Sequence, residues 1–282
     1  MEWRGRRQSK NIEDARRVSG ARAGGIGGVG LLAVVAIGYM LGIDVTPLLN
    51  NGETGGTQGG TVELTAEDKA AGEFVGVVLG YTEEIWAKEF AEQLYRKYQP
   101  VTLKLFKGQT ASVCGDASGA TGPFYCPGDK KVYLDTAFFA TMSQQLGAGG
   151  DFAMAYVVAH EVAHSVQDQL GILGKANQIR SQVSTEESNQ ISVMIELQAD
   201  CLSGIWARGV HQELGAIQKG DFEEALNAAR QIGDDTLQRN AGQHPMPHTF
   251  THGTSEQRAR WFYTGLETGD INACNTFDAA NL

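Results

Sequence analysis

A chain of 282 residues with 42% hydrophobic content can bury a substantial core, and one catalytic domain with accessory segments is the simplest division. The net charge of -10 is uneven: residues 1 to 23 hold seven Lys/Arg against three acids, which leaves -14 for residues 24 to 282. An acidic body of this kind excludes the basic footprint of a nucleic-acid binder, so no nucleic-acid partner is expected.

The basic head (Arg4, Arg6, Arg7, Lys10, Arg16, Arg17, Arg22) precedes the apolar run Gly24 to Ile43, 20 residues without a charge. About that many residues cross a hydrocarbon core as a helix. The positive-inside rule then places the head in the cytoplasm and everything after the span outside. The expectation is a single-pass protein of the bacterial cytoplasmic membrane with an extracytoplasmic catalytic domain. A cleaved signal peptide would show a short basic head and a small-residue exit site, and neither is evident. Residues 44 to 65, with NNGETGGTQGG, have nothing to bury and read as a flexible linker. The catalytic domain is expected over residues 66 to 282.

Within that domain, residues 66 to 98 carry helical patterning, with Thr82 a candidate N-cap for TEEIWAKEFAEQLYRKY. Val101 to Phe106 alternates like a strand, and Lys131 to Asp135 (KVYLD) reads as a second. Between them Cys114 and Cys126 flank a Gly-rich loop and suggest a short clip, which would leave Cys201 and Cys274. Four cysteines suit an oxidising compartment but allow three pairings. From Thr136 the chain reads as helical near 136–146, 151–169, 185–209, 221–231 and 254–267. A mostly helical α+β fold with a small sheet follows.

The chemistry concentrates in AMAYVVAHEVAHSVQ. Residues four apart lie on one helical face, so His160 and His164 can reach one ion, while Glu161 beside them can act on water at that ion without being a ligand. The apolar run before His160 buries this helix, and buried polar groups need partners. Catalytic zinc takes three protein ligands and leaves a position open. SVMIELQADCLSGIWA offers Glu196 as the third, with Asp200 one turn on to accept the free ring N–H of a ligand histidine. The absence of cysteine from the motif argues against a closed structural site and for a Zn2+-dependent hydrolase.

HEVAH followed by ELQAD resembles the gluzincin arrangement. The fuller set, CGDASGATGPFYCPGDKKVYLD, HEVAHSVQ, ELQADCLSGIWA and HGTSEQRARWFYTG, resembles the bacterial neutral zinc metallopeptidases along essentially the whole chain. The resemblance implies a zincin-like fold, a protein or peptide substrate, and KVYLD as the sheet edge along which substrate lies. It also implies a late histidine and arginine, His252 and Arg258, that stabilise charge on the reacting carbonyl. His244 and His248 share a loop with Pro245 and Pro247, so the four-residue spacing of the three histidines does not place them on one face.

Overall fold

The apolar run Phe74 to Tyr81 sits in the middle of helix α1 (Ala66–Gln93), where burial on every side places it in the core. The computed structural model describes residues 1–17, 63–118, 121–280 and 282. Thr65 caps α1 in a reciprocal box with Asp68. The expected N-cap Thr82 lies inside the helix instead, its hydroxyl donating to the Leu79 carbonyl. The helix stops before Tyr95, which takes a left-handed conformation at φ 52°.

Four strands form one sheet in the order β1 (Ile12–Asp14), β2 (Thr102–Phe106), β6 (Lys131–Asp135), β5 (Phe124–Cys126). The first two pairings are parallel and β5 runs antiparallel to β6. A hairpin of β3 (Gln109–Ser112) and β4 (Gly115–Ser118) projects between β2 and β5 in sequence. Cys114, at the hairpin's turn, is disulfide-bonded to Cys126, the last residue of β5. KVYLD is therefore not the edge: it lies between β2 and β5, and its Val132 to Asp135 run is buried on both faces. The outer strand is β5.

The other edge corrects the expected domain boundaries. Residues 1–17 are not a separate head, because Ile12, Glu13 and Asp14 pair in register with Leu103, Lys104 and Leu105. Arg7 bonds Glu83 and Glu84 of α1, Tyr81 donates to the Glu2 carbonyl, and the buried Arg16 chelates Asp14 and reaches the Asp68 carbonyl. Gly72, Gly76 and Gly80, one turn apart on α1, make room for this segment; a Cβ at Gly80 would stand 3.0 Å from the Arg7 carbonyl oxygen. The expected span at residues 24–43, and residues 44–62 of the expected linker, lie outside the described residues. Among the described residues no helix is long and apolar enough to cross a membrane.

The remaining helices are α2 (Phe138–Gln144), α3 (Asp151–Gln169), α4 (Ile172–Arg180), α5 (Thr185–Gln212), α6 (Asp221–Gln231), α7 (Asp234–Asn240) and α8 (Ser255–Thr268). Of these, α4 and α7 were not expected. Helices α3 and α5 pack against each other in the core, and α8 lies across α5. Their close approach requires glycine: a Cβ at Gly265 would meet the Cys201 carbonyl oxygen at 1.8 Å, and one at Gly204 the Phe262 oxygen at 2.0 Å. Cys201 of α5 is disulfide-bonded to Cys274.

Candidate metal centre

Helix α3 is apolar from Phe152 to Ala159, which drives it into the core, and His160, Glu161 and His164 line a cavity of about 410 Å³. Helix α5 starts from a Ser184–Glu187 capping box and brings Glu196 to the same place. His160 Nε2 lies 3.0 Å from Glu196 Oε2, and His164 Nε2 lies 3.4 Å from Glu196 Oε1. One ligating atom from each of the three falls within 4.8 Å of the others. Glu161, 8% exposed, faces the cavity and has no hydrogen-bond donor among the described residues.

The surroundings fix which ring nitrogens face inward. His164 Nδ1 lies 2.8 Å from Gln167 Oε1, and Gln167 donates in turn to the Ile195 carbonyl and to Gln198. That leaves the Nε2 lone pair for a metal. His160 Nδ1 sits 2.9 Å from Asp200 Oδ1, close but without the alignment of a hydrogen bond. Burial pushes the His160 imidazole down, but Asp200 and then Glu196 outweigh it and lift it to about 10. Burial likewise opposes ionisation of Glu196, yet His164 and His160 hold its carboxyl well below the usual range. The pocket thus demands positive charge beside two inward Nε2 atoms and a carboxylate. Two imidazoles and one carboxylate are the donor set of a catalytic zinc site.

Arg258, expected at the reacting carbonyl, is hydrogen-bonded on several sides. Its Nε and Nη2 both bond Asp200, Nη2 also reaches Tyr156, and Nη1 donates to the Ile232 carbonyl. The side chain is 2% exposed. Two of its nitrogens engage Asp200, the carboxylate behind His160, while the residue also forms part of the cavity wall. His252 lies on the cavity wall. Its Nδ1 lies 3.2 Å from Asp234 Oδ1, while Asp234 Oδ2 accepts the backbone N–H groups of Thr251, His252 and Gly253. Enclosure lowers the His252 imidazole, but Asp234 and the Glu196 charge raise it overall, although 43% of the side chain remains accessible.

Sequence reasoning missed Gln167, Asp234 and Tyr156. Gln167 follows His164 by three residues on a buried helix, a readable signal; Asp234 sits in an ordinary polar stretch and gives none.

A second trio with ligating atoms within 4.8 Å, Asp151, Asp221 and Glu224, gathers at the N-terminus of α3. It already meets a cation, since the Met1 ammonium lies 2.6 Å from Asp151 and 3.2 Å from Asp221.

Comparison with known proteins places these features in a family. A family model described as "Putative neutral zinc metallopeptidase" matches residues 1–277. An uncharacterized protein of Escherichia coli K12, YpfJ, is 43% identical over 286 residues, covering 98% of this chain and 99% of that protein. An uncharacterized protein of Mycobacterium tuberculosis H37Rv, Rv2575, is 45% identical over 190 residues, 64% of this chain and 63% of its own length. No solved structure matches. The family's metal is zinc, which the two imidazoles and the Glu196 carboxylate fit. The chain belongs to the putative neutral zinc metallopeptidase family.

Proposed function

We propose that this chain hydrolyses peptide bonds at the His160–His164–Glu196 centre, with Glu161 as the general base. The observation that carries the reading is a free carboxylate, Glu161, beside a three-ligand set on the wall of a cavity. Zinc, when bound, supplies the charge that acidifies water and polarises a carbonyl. Glu161 takes the proton from that water and returns it to the departing amine. His252, held by Asp234, donates to the carbonyl oxygen as negative charge grows on it. Gln167 and Asp200 hold the two ligand rings in register.

An extended substrate fits along β5, whose outer side has no strand partner among the described residues and whose Phe124 and Tyr125 line the cavity. A structural metal in a binding module is the weaker reading, because it gives Glu161 no task. The test is Glu161→Gln: zinc content stays near one per chain, while turnover of unfolded protein falls roughly a hundred- to ten-thousand-fold. Wild-type turnover in that variant would remove the mechanism.

Attachment to a membrane through residues 24–43 belongs to the same proposal, with a different topology from that expected. Residues 1–17 supply a strand to the sheet of the catalytic domain, which supports both lying on one side of the bilayer. Two disulfides favour the oxidising, extracytoplasmic side. Single cysteines at Lys10 and at Lys219, in a chain keeping both disulfides, are expected to react alike with an impermeant maleimide on intact spheroplasts. Labelling of one position and protection of the other would restore the single crossing.

A further inference from the structure

Helix α4 leaves α3 through Gly171, in the left-handed conformation at φ 77°, and turns one face to the cavity that holds the metal ligands. That face carries Leu173, Asn177 and Arg180, spaced four and then three residues apart. The guanidinium of Arg180 is held by neutral groups: Nε donates to Ser188 Oγ and Nη1 to Asn177 Oδ1, each at 3.2 Å. Nη2 has no protein acceptor among the described residues.

A basic residue in the last turn of a helix commonly serves the carbonyls of that turn. Arg180 bonds none of them. Arg258, the other cation on the cavity wall, is neutralised by Asp200 at 2.9 Å. Among the described residues no carboxylate forms an ion pair with Arg180, although the body of the protein is acidic. A planar, oriented fork with one arm unused, on the wall of a substrate cavity, matches an oxyanion, and the oxyanion an unmodified peptide offers is a carboxylate.

We infer that Arg180 binds a carboxylate of the substrate, so the cleft selects peptides bearing an acidic group at one position relative to the scissile bond. The inference rests on the peptidase reading. The carboxylate has two sources, an Asp or Glu side chain or the end of the peptide chain.

The experiment uses the zinc-loaded full chain and peptides in which a single Glu, or Gln as control, is moved through every position, each made with a free or amidated C-terminus. Products and kcat/KM are read by mass spectrometry. Wild type prefers the acid over its neutral control at one position by roughly ten- to hundred-fold. In Arg180→Gln this ratio falls to near one, in Arg180→Lys it is intermediate because the fork is lost, and in Arg180→Glu it falls below one. A preference that follows Glu assigns a side-chain subsite; one that follows the free C-terminus assigns recognition of a chain end.

The same peptides, fluorescently labelled, are titrated into Glu161→Gln with and without Arg180→Gln, so the carboxylate contact is read by anisotropy without hydrolysis. An acid-to-neutral affinity ratio that Arg180→Gln leaves unchanged overturns the inference and spares the peptidase. Absence of cleavage with the Arg180-dependent affinity intact overturns the peptidase and spares the contact.

Discussion

Two trios of potential metal ligands gather against helix α3, one at its N-terminus and one at its middle. Asp151, Asp221 and Glu224, like His160, His164 and Glu196, bring their ligating atoms within 4.8 Å of one another. The acidic trio has only oxygen donors, its charge is met by the Met1 ammonium, and Glu224 also accepts the Phe152 backbone N–H. The central trio mixes two nitrogens with a carboxylate, opens to a cavity, and has each ring nitrogen that faces away from the ligand position matched to an oxygen. Proximity of ligating atoms therefore does not make a metal centre. Donor chemistry, access and the presence of an existing counter-charge separate the two.

The sharpest break between them is metal content. His164→Ala or Glu196→Ala is expected to lose zinc and all measurable turnover, and with them the thermal stabilisation that added zinc gives wild type. Asp221→Asn is expected to keep one zinc per chain by elemental analysis. Zinc lost from Asp221→Asn and kept by Glu196→Ala would exchange the roles of the two trios.

A smaller effect probes the bracing behind the central trio. Arg258→Leu leaves the fully buried Asp200 without its cation, which costs about 3–5 kcal/mol of stability, and loosens His160. Zinc affinity should fall roughly ten- to hundred-fold in a competition titration against a chelator. Unchanged affinity together with a large loss of kcat would return Arg258 to the reacting carbonyl.

The smallest expected effect is a displaced pH profile. Asp234 raises the His252 imidazole, so the donating, protonated form persists above its ordinary range and is lost as pH rises through the raised value. Asp234→Asn removes that support, and the alkaline limb of kcat/KM should move to lower pH. A limb that does not move would show that His252 does not donate. Asp234 itself is held below the usual carboxylate range against its burial, chiefly by His252. Its share of stability is present above the unfolded carboxylate value and is lost as pH falls through the lowered one.

The central trio was legible because its parts are periodic: His160 with His164, and Glu196 with Asp200, repeat at one helical turn inside apolar runs. The Asp234–His252 pair was not, because it joins the start of a short helix to a loop 18 residues on, where no period exists. The position of KVYLD could have been read more closely. Consecutive Val, Tyr and Leu without a polar face suit a strand covered on both sides, and that is an interior strand. The packing of the head was not legible, for a physical reason. Arginines beside an apolar run read as a topology signal, yet Arg7 and Arg16 are paired with Glu83, Glu84 and Asp14, and three-residue β1 is too short to show alternation. The Gly72, Gly76 and Gly80 stripe was the available sign that another segment packs on α1.

The pairing of Ile12 with Leu103 also sets a clock. At roughly 5–20 residues per second of synthesis, about 5 to 20 seconds separate the emergence of the two strands. Through that interval the first strand has no neighbour, and the apolar stretch that follows it is already outside the ribosome. Closure of this edge of the sheet therefore waits on β2, so the strand that is made first is paired late.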